Sequence, residues 1–155
     1  MIAEPLEFVD TNVLVYAFDL SAGEKQTTAV RLLERLWNCG TGCLSVQILQ
    51  EFYVTVTRKV ALPLPVDEAR SRVRELAVWR IFAPDAGDVL DAISLQQDAR
   101  IGFWDAMVVL GASKLGCETL WSEDLTDGQV IRGVRIRNPF APQPPSVPQS
   151  SQPDP

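Results

Sequence analysis

Near its beginning the chain reads Leu6-Glu7-Phe8-Val9-Asp10-Thr11-Asn12, a short apolar run that ends on a carboxylate. The first four residues are typical of a short buried strand, and Asp10 follows where that strand ends. Far along the chain, residues 117–121 predict a second such strand, and Asp124 comes soon after it. Ligands of open parallel sheets bind at the carboxyl ends of the strands, so we expect Asp10 and Asp124 to share one edge of a sheet.

Two further carboxylates stand out because each lies in a predicted helix with an apolar face. Glu51 shares one helical stripe with Ile48, Phe52 and Thr55, which predicts that its side chain points inward. Asp105 opens a predicted helix over 106–115 that carries hardly any other charge. By the same topology, its helix start faces the edge where Asp10 and Asp124 are expected.

Burial of four carboxylates requires a compensating group. An unpaired buried carboxylate costs several kcal/mol, so each must be neutralised, hydrogen-bonded or bound to a cation. One magnesium or manganese ion shared by Asp10, Glu51, Asp105 and Asp124 would satisfy all four. Simpler roles remain open: Asp10 and Asp105 could cap helices, Asp124 could lie in a solvated acidic loop, and Glu123 could be the ligand in its place.

The composition excludes several classes of site. The chain has no histidine, which rules out every imidazole-based nucleophile system, general base or zinc ligand. Its three cysteines cannot form a four-thiolate zinc site and are expected to be small buried residues. An odd cysteine count without a signal peptide predicts a reducing cytosol, and no apolar run approaches the roughly 20 residues that cross a bilayer.

The pattern along the chain alternates between short apolar strands and longer helices. Strands are predicted at 6–9, 43–46, 79–82, 117–121 and 134–137, and helices at 29–37, 48–60, 66–77, 86–99 and 103–115. This alternation indicates a three-layer α/β fold, with a mainly parallel sheet covered by helices on both faces. We expect one domain over 1–140. Seven of the eleven prolines fall between 139 and 155, so residues 141–155 are predicted to be a disordered tail.

The remaining charged and aromatic residues are expected to have structural roles. The net charge of −6 argues against broad nonspecific binding to nucleic acid, although a bound cation would reverse the local sign. Trp37 and Trp79 are predicted to be core residues. Arg70 and Arg74 are expected to pair on the surface with Asp67 or Glu75, although contact with an RNA backbone is the alternative.

Several motifs in this order resemble the PIN-domain nucleases, and more narrowly the VapC-type ribonuclease toxins of bacterial toxin-antitoxin pairs. The matching pieces are Phe8-Val9-Asp10-Thr11-Asn12, the helix 45–52 with Glu51, Phe103-Trp104-Asp105-Ala106-Met107, Leu120-Trp121-Ser122-Glu123-Asp124-Leu125, the run 127–131 and the ending 134–140. Asp-Thr-Asn alone is common, whereas the order and spacing of all the pieces are specific.

The resemblance implies a metal-dependent endoribonuclease, usually a cytoplasmic homodimer, that a cognate antitoxin protein holds inactive. It implies an acidic quartet of Asp10, Glu51, Asp105 and Asp124, with Asn12 and Ser122 as supporting polar residues. Such a cluster binds Mg²⁺ or Mn²⁺, which activates a water molecule and stabilises charge on the phosphate of an RNA substrate. An antitoxin would then place an arginine or an amphipathic helix across the acidic rim.

Two other classes of protein with an acid after the first strand fit the sequence less well. A haloacid dehalogenase-type phosphatase needs a second acid two positions after the first, and that position is Asn12. A receiver domain needs an acidic pair near its first strand, which this pattern lacks. Two alternatives within the fold remain: an inactive PIN-like interaction module, which the intact quartet disfavours, and an RNA-processing nuclease outside a toxin-antitoxin pair.

Overall fold

Residues 3–142 are described by the computed structural model, and their strands form a single six-stranded sheet. In chain order the strands are β1 Glu7–Val9, β2 Gly42–Ser45, β3 Arg80–Phe82, β4 Thr119–Trp121, β5 Val130–Ile131 and β6 Val134–Arg137. Their spatial order is β3-β2-β1-β4-β6-β5, and every neighbouring pair is parallel except β5 with β6. This sheet confirms the predicted fold class.

Six helices cover the two faces of the sheet. They are α1 Thr11–Phe18, α2 Glu24–Cys39, α3 Val46–Arg58, α4 Val66–Leu76, α5 Ala86–Ala99 and α6 Phe103–Lys114. Alternate residues of β1 show the two layers: Phe8 packs beside Gly111 of α6, whereas Glu7 bonds Arg35 of α2. Helices α1 to α4 therefore form one layer, and α5 packs on α6 in the other. The buried core lies on both sides of the sheet.

The strand order reverses beside β1. The chain moves from β1 to β2 and β3 on one side of β1, and β4 lies on the other side. The residues that follow β1 and β4 consequently meet at the same carboxyl edge: the Asp10 N–H bonds the Trp121 carbonyl at 2.9 Å. The start of α3 reaches this edge as well, because α3 follows β2 without an intervening loop.

Most predicted elements are present, and two were missed. Helix α5 has the predicted bounds, and the other predicted elements differ mainly by a few residues at their ends. Helix α1 was not predicted as a helix. It is buried at Val13, Leu14, Val15 and Ala17, so it has no polar stripe to reveal a helical period. The two-residue strand β5 is too short to give a pattern.

Several expected environments were wrong. Trp37 is 50% exposed, since it lies in the last turn of α2 at the border of the sheet, and Cys39 is exposed two residues later. Cys43 and Cys117 are buried as expected. Among residues 3–142, Arg72 rather than Arg70 or Arg74 pairs with Glu75.

The predicted tail over 141–155 lies almost entirely outside the described residues, so its disorder stays a prediction. Within the described part of the chain, no helix is both long enough and apolar enough to cross a membrane.

Candidate active site

Asp10 is a buried carboxylate at the junction of β1 and α1. Its side chain is 6% exposed and accepts the Thr11 N–H at 2.7 Å, which makes it the residue that caps α1. Its second oxygen accepts the Ser122 hydroxyl at 2.7 Å. The capping role that the sequence left open is therefore present, and it leaves the carboxylate at the carboxyl edge of the sheet.

Glu51 reaches the same edge from the second turn of α3. Its two oxygens are held separately: the Thr11 hydroxyl donates to one at 2.5 Å, and the Gln47 amide donates to the other at 2.9 Å. Gln47 is four residues earlier on the same helix face, so it orients Glu51 locally. Thr11 ties Glu51 to the residue that follows Asp10.

Asp105 lies in the first turn of α6, where Gly102 precedes the helix. Its side chain does not cap the helix in the described residues, so the capping alternative does not hold. The helix start is fixed to α3 by the Gln47 amide, which also approaches the Trp104 carbonyl at 3.4 Å. Asp105 and Glu51 thus project from helix starts that contact each other through Gln47.

Asp124 is the most exposed of the four acids. It follows β4, and its N–H bonds the Ser122 hydroxyl oxygen at 3.2 Å, which turns this residue toward Asp10. The adjacent Glu123 does not share this direction. Its carboxylate is engaged by Lys25 at 2.5 Å and by the Tyr16 hydroxyl at 3.0 Å, so Asp124 rather than Glu123 belongs to the acidic group.

The pKa values of Asp10 and Asp105 are raised by burial and, to a smaller extent, by neighbouring acids. Burial raises the pKa of Asp10 to about 6, and the charges of Asp124 and Asp105 add to the rise, against the hydrogen bonds from Ser122 and Thr11. Burial, followed by the charges of Asp124 and Glu51, also raises the pKa of Asp105. The site therefore concentrates negative charge that the described residues do not neutralise with any cationic side chain.

The chemistry of these groups fits a hard divalent cation. All four donors are carboxylate oxygens, which Mg²⁺ and Mn²⁺ prefer, and like charges held together in a buried site favour a cation. As the side chains stand, however, no three acidic groups within residues 3–142 are close enough to hold one ion. The fit is therefore one of chemistry and placement, and the role of the four as metal ligands stays a prediction.

Asn12 adds a polar group that lacks an acceptor. Its amide oxygen accepts the Val13 N–H at 2.7 Å, which fixes the amide, and its buried amide nitrogen has no hydrogen-bond partner among the described residues. A buried donor without an acceptor costs about 1–3 kcal/mol. Asn12 as a residue lines a groove of about 420 Å³ that also reaches Thr11 and Asp124, so its unpartnered amide lies beside a space that a ligand could fill.

The sequence did not identify Thr11 and Gln47, although both orient Glu51. Gln47 had a signal, because a glutamine four residues before a glutamate on a helix can bond it. Thr11 had none, since its contact with Glu51 spans 40 positions.

Comparison with known proteins identifies the family. A family model for the PIN domain matches residues 8–126. In sequence, no curated protein matches the chain.

Three solved structures that share the fold are distant in sequence. VapC20 of Mycobacterium tuberculosis, a sarcin-ricin loop cleaving toxin, is 19% identical with a TM-score of 0.57, over 76% of this chain and 89% of that one. A toxin-antitoxin complex from Klebsiella pneumoniae is 19% identical with a TM-score of 0.64, over 86% and 98%. VapBC2 from Rickettsia felis, bound to a promoter DNA fragment, is 19% identical with a TM-score of 0.61, over the same shares. The family match extends over most of the chain and its range includes all four acids, and on that match the chain belongs to the PIN domain family.

Proposed function

We propose that this protein is a metal-dependent endoribonuclease that acts as the toxin of a toxin-antitoxin pair in the cytoplasm. The proposal is supported by the placement of Asp10, Glu51, Asp105 and Asp124 toward the carboxyl edge of the sheet, where burial and, after it, the charges of neighbouring acids raise the pKa values of Asp10 and Asp105. The family supports hydrolase chemistry on nucleic acid, and VapC20, which shares the fold, is a toxin that cleaves the sarcin-ricin loop.

Mg²⁺ or Mn²⁺ held by the four carboxylates would supply positive charge to the scissile phosphate and lower the pKa of a water molecule. The protein positions its own groups for this chemistry. Ser122 and the Thr11 N–H hold Asp10, while Thr11 and Gln47 hold Glu51, so both carboxylates have fixed directions. Asn12, whose buried amide nitrogen has no hydrogen-bond partner among the described residues, is the side chain that we expect to donate to a phosphate oxygen.

Asp124 is the carboxylate best suited to orient the attacking water. Its side chain makes no hydrogen bond within the described residues and is exposed to solvent, whereas both oxygens of Glu51 already accept hydrogen bonds. In the reaction, the water oxygen would form a bond to phosphorus and its proton would pass to Asp124, while the bond from phosphorus to the leaving ribose oxygen breaks and that oxygen takes a proton from solvent.

The antitoxin would bind across the acidic rim and the apolar groove beside it. A groove of about 350 Å³ runs between α3 and α4 and is lined by Val46, Leu49, Gln50, Tyr53, Val66, Arg70 and Val73. Helix α3 also carries Glu51, so one partner segment can fill this groove and place a cationic side chain at the acids. The Klebsiella pneumoniae and Rickettsia felis structures are toxin-antitoxin assemblies, which supports a partner of this kind.

A second copy of the chain is the other proposed partner. Helix α5 exposes Val89, Leu90 and Ile93, with Leu90 67% exposed, although α5 packs on α6 through its opposite side. Three neighbouring apolar side chains in solvent are consistent with a surface that a homodimer would cover.

The decisive experiment measures RNA cleavage and manganese binding for the free protein and for the protein co-purified with the product of its neighbouring reading frame. We expect Mn²⁺-dependent cleavage by the free protein, none after EDTA treatment, and little cleavage or Mn²⁺ binding by the complex. Equal activity in both forms would contradict the toxin role, and activity that persists in EDTA would contradict the metal-dependent mechanism.

Variants test the site itself. D105N and D124N should each lower cleavage by roughly 100-fold or more while the circular dichroism spectrum is unchanged. The matched control is D98N, since Asp98 is an exposed acid on α5. If D105N and D124N cleave RNA as fast as the wild type, Asp105 and Asp124 do not belong to the active site.

A further inference from the structure

A cationic groove lies on the sheet beside the acidic site. It measures about 410 Å³ and is lined by Trp121, Asp127, Gly128, Arg135, Arg137, Asn138, Ala141 and Pro142. We call it the β4–β6 groove. Its volume falls within the roughly 300–1,000 Å³ range of small-ligand sites.

The strand register explains why cationic and aromatic side chains meet there. Trp121 of β4 is directly opposite Arg137 of β6, and Thr119 is opposite Arg135. Paired residues of neighbouring strands point to the same face, so both arginines lie on the face of Trp121. The helices leave this part of the face open, because Arg135 and Arg137 are exposed and Trp121 is half-buried.

The charges of the groove favour an anionic ligand. The Arg137 guanidinium makes no hydrogen bond or ion pair within the described residues, and the Arg135 guanidinium makes one long hydrogen bond, to the Gly128 carbonyl at 3.3 Å. Asp127 is the acid that lines the groove, and one of its oxygens already accepts the Asn138 N–H at 2.9 Å. Nearby Glu7 is paired with Arg35, and the charge of Arg137 also acts on it. Three guanidinium groups, those of Arg35, Arg135 and Arg137, therefore stand against the two carboxylates of Asp127 and Glu7 in a chain whose net charge is −6.

The groove is connected to the acidic site through the main chain. The Arg137 carbonyl accepts the Ser122 N–H at 2.9 Å, and the Ser122 hydroxyl bonds Asp10. Arg137 is therefore at the carboxyl end of β6, in the strand next to the one that leads into Asp124. The groove and Asp124 therefore belong to neighbouring strands at the same edge of the sheet.

Trp121 presents a fixed aromatic surface in the groove. Its indole N–H donates to Glu7 at 3.0 Å, which sets the plane of the ring. Proteins bind single-stranded nucleic acid with this combination of a cationic surface and an aromatic ring on which a base stacks. A protein segment, in contrast, gains little from two unpaired guanidinium groups unless it is acidic.

We propose that the β4–β6 groove binds single-stranded RNA that flanks the cleaved phosphodiester, with Arg135 and Arg137 on backbone phosphates and Trp121 against a base. This proposal rests on the proposed nuclease function and assigns it a substrate surface. The two arginines are binding residues rather than catalytic ones, because they contact RNA away from the bond that breaks.

The test measures binding without cleavage, by fluorescence anisotropy of a short labelled single-stranded RNA of mixed sequence in EDTA at several salt concentrations. R135Q/R137Q should weaken binding by roughly tenfold or more and should lower the slope of log affinity against log salt by about 1.4, which is 0.7 for each phosphate contact. W121L should weaken binding roughly fivefold or more and leave the slope unchanged, since stacking releases no counterions.

The matched control is R31Q/R74Q, which removes the same formal charge from exposed arginines that do not line the groove. Equal loss of affinity in both double variants would overturn the proposal, because it would reduce the effect to net charge. A groove variant that binds RNA as the wild type does but no longer binds its antitoxin would also overturn it.

Cleavage with Mn²⁺ separates this proposal from the nuclease function. R135Q/R137Q should raise KM for RNA with little change in kcat and should keep the wild-type rise in thermal stability on adding Mn²⁺. If R135Q/R137Q cleaves RNA as the wild type does, with an unchanged KM, the groove does not bind the substrate, and the nuclease function is unaffected. Absence of wild-type cleavage would reject the nuclease function, whatever the binding result.

Discussion

Ser122 donates its hydroxyl hydrogen to Asp10 at 2.7 Å, although 112 positions separate the two residues. Ser122 is fully buried, and its N–H is bonded to β6, so the donor cannot move away from the carboxylate. This bond joins the two strand ends that meet where strand order reverses. It makes Ser122 a positioning residue for Asp10.

Removal of this hydroxyl should weaken the fold. S122A leaves a buried carboxylate with one hydrogen bond fewer, so the free energy of unfolding in urea at pH 7 should fall by about 1–3 kcal/mol. The control is S113A, whose hydroxyl bonds the Arg132 carbonyl at the surface and should change stability by less than about 0.5 kcal/mol. If the two variants lower the free energy of unfolding equally, the bond to Asp10 contributes no more to stability than a surface hydrogen bond.

Asp10 should destabilise the metal-free fold at neutral pH. Its pKa is raised from 3.8 to about 6, so the unfolded chain ionises first and stability falls as the pH rises through that window. D10N should therefore stabilise the metal-free protein at pH 7, by on the order of 2 kcal/mol. The gain should shrink as the pH falls from 6 toward 4.

Thermal unfolding with and without Mn²⁺ checks the same variant. D10N should lose most of the stabilisation that Mn²⁺ gives the wild type, whereas D98N should keep it. A D10N protein that is less stable than the wild type across pH 4 to 7 would contradict the assigned cause of the pKa shift.

Glu7 should stabilise the fold with the opposite pH dependence. Burial alone would raise its pKa, but the hydrogen bonds from Arg35 and Trp121 and the charge of Arg35 outweigh burial and hold it below 4.5. A lowered carboxyl pKa contributes stability that is complete above 4.5 and is lost as the pH falls through the folded value.

E7Q measures this contribution. The variant should be less stable than the wild type by about 1 kcal/mol at pH 7, because Arg35 is half exposed and solvent screens the pair. The difference should shrink below pH 4.5 in urea titrations. E75Q, which breaks the more exposed pair with Arg72, should cost less, and a difference for E7Q that does not change with pH would be inconsistent with the ion pair.

The Thr11 hydroxyl should matter for catalysis through the direction of Glu51. T11V removes the donor to Glu51 and should lower kcat for RNA cleavage by roughly tenfold or more with an unchanged circular dichroism spectrum. T57V is the matched control, since Thr57 also lies on α3 but bonds only main-chain oxygens of its own helix. T11S should restore most of the activity, and failure of T11S to do so would assign the loss to packing.

Strand ends were predictable from the sequence, whereas side-chain partners were not. The apolar runs at 6–9 and 117–121 predicted two strands, and the rule for parallel sheets placed Asp10 and Asp124 at one edge. The partners of these acids are set by tertiary packing: Ser122 reaches Asp10 only once β1 and β4 pair, and Thr11 reaches Glu51 only once α1 packs on α3.

Helix α1 shows why a pattern can fail for a buried element. Residues 11–18 contain β-branched and aromatic side chains with no polar stripe, so neither a helical nor a strand period is visible. What decides the helix is its start, where Asp10 caps the first turn. The same carboxylate is thus a cap and a candidate ligand, and the sequence could not separate the two roles.

Diffraction from crystals grown with Mn²⁺, recorded where manganese scatters anomalously, tests the central claim most directly. We predict one strong anomalous peak at the carboxyl edge of the sheet, within roughly 2.0–2.6 Å of oxygens from Asp10 and from at least one of Asp105, Asp124 and Glu51. A site that contains no peak at saturating Mn²⁺, or a peak that Asp10 does not contact, would contradict the claim that these acids hold a metal ion.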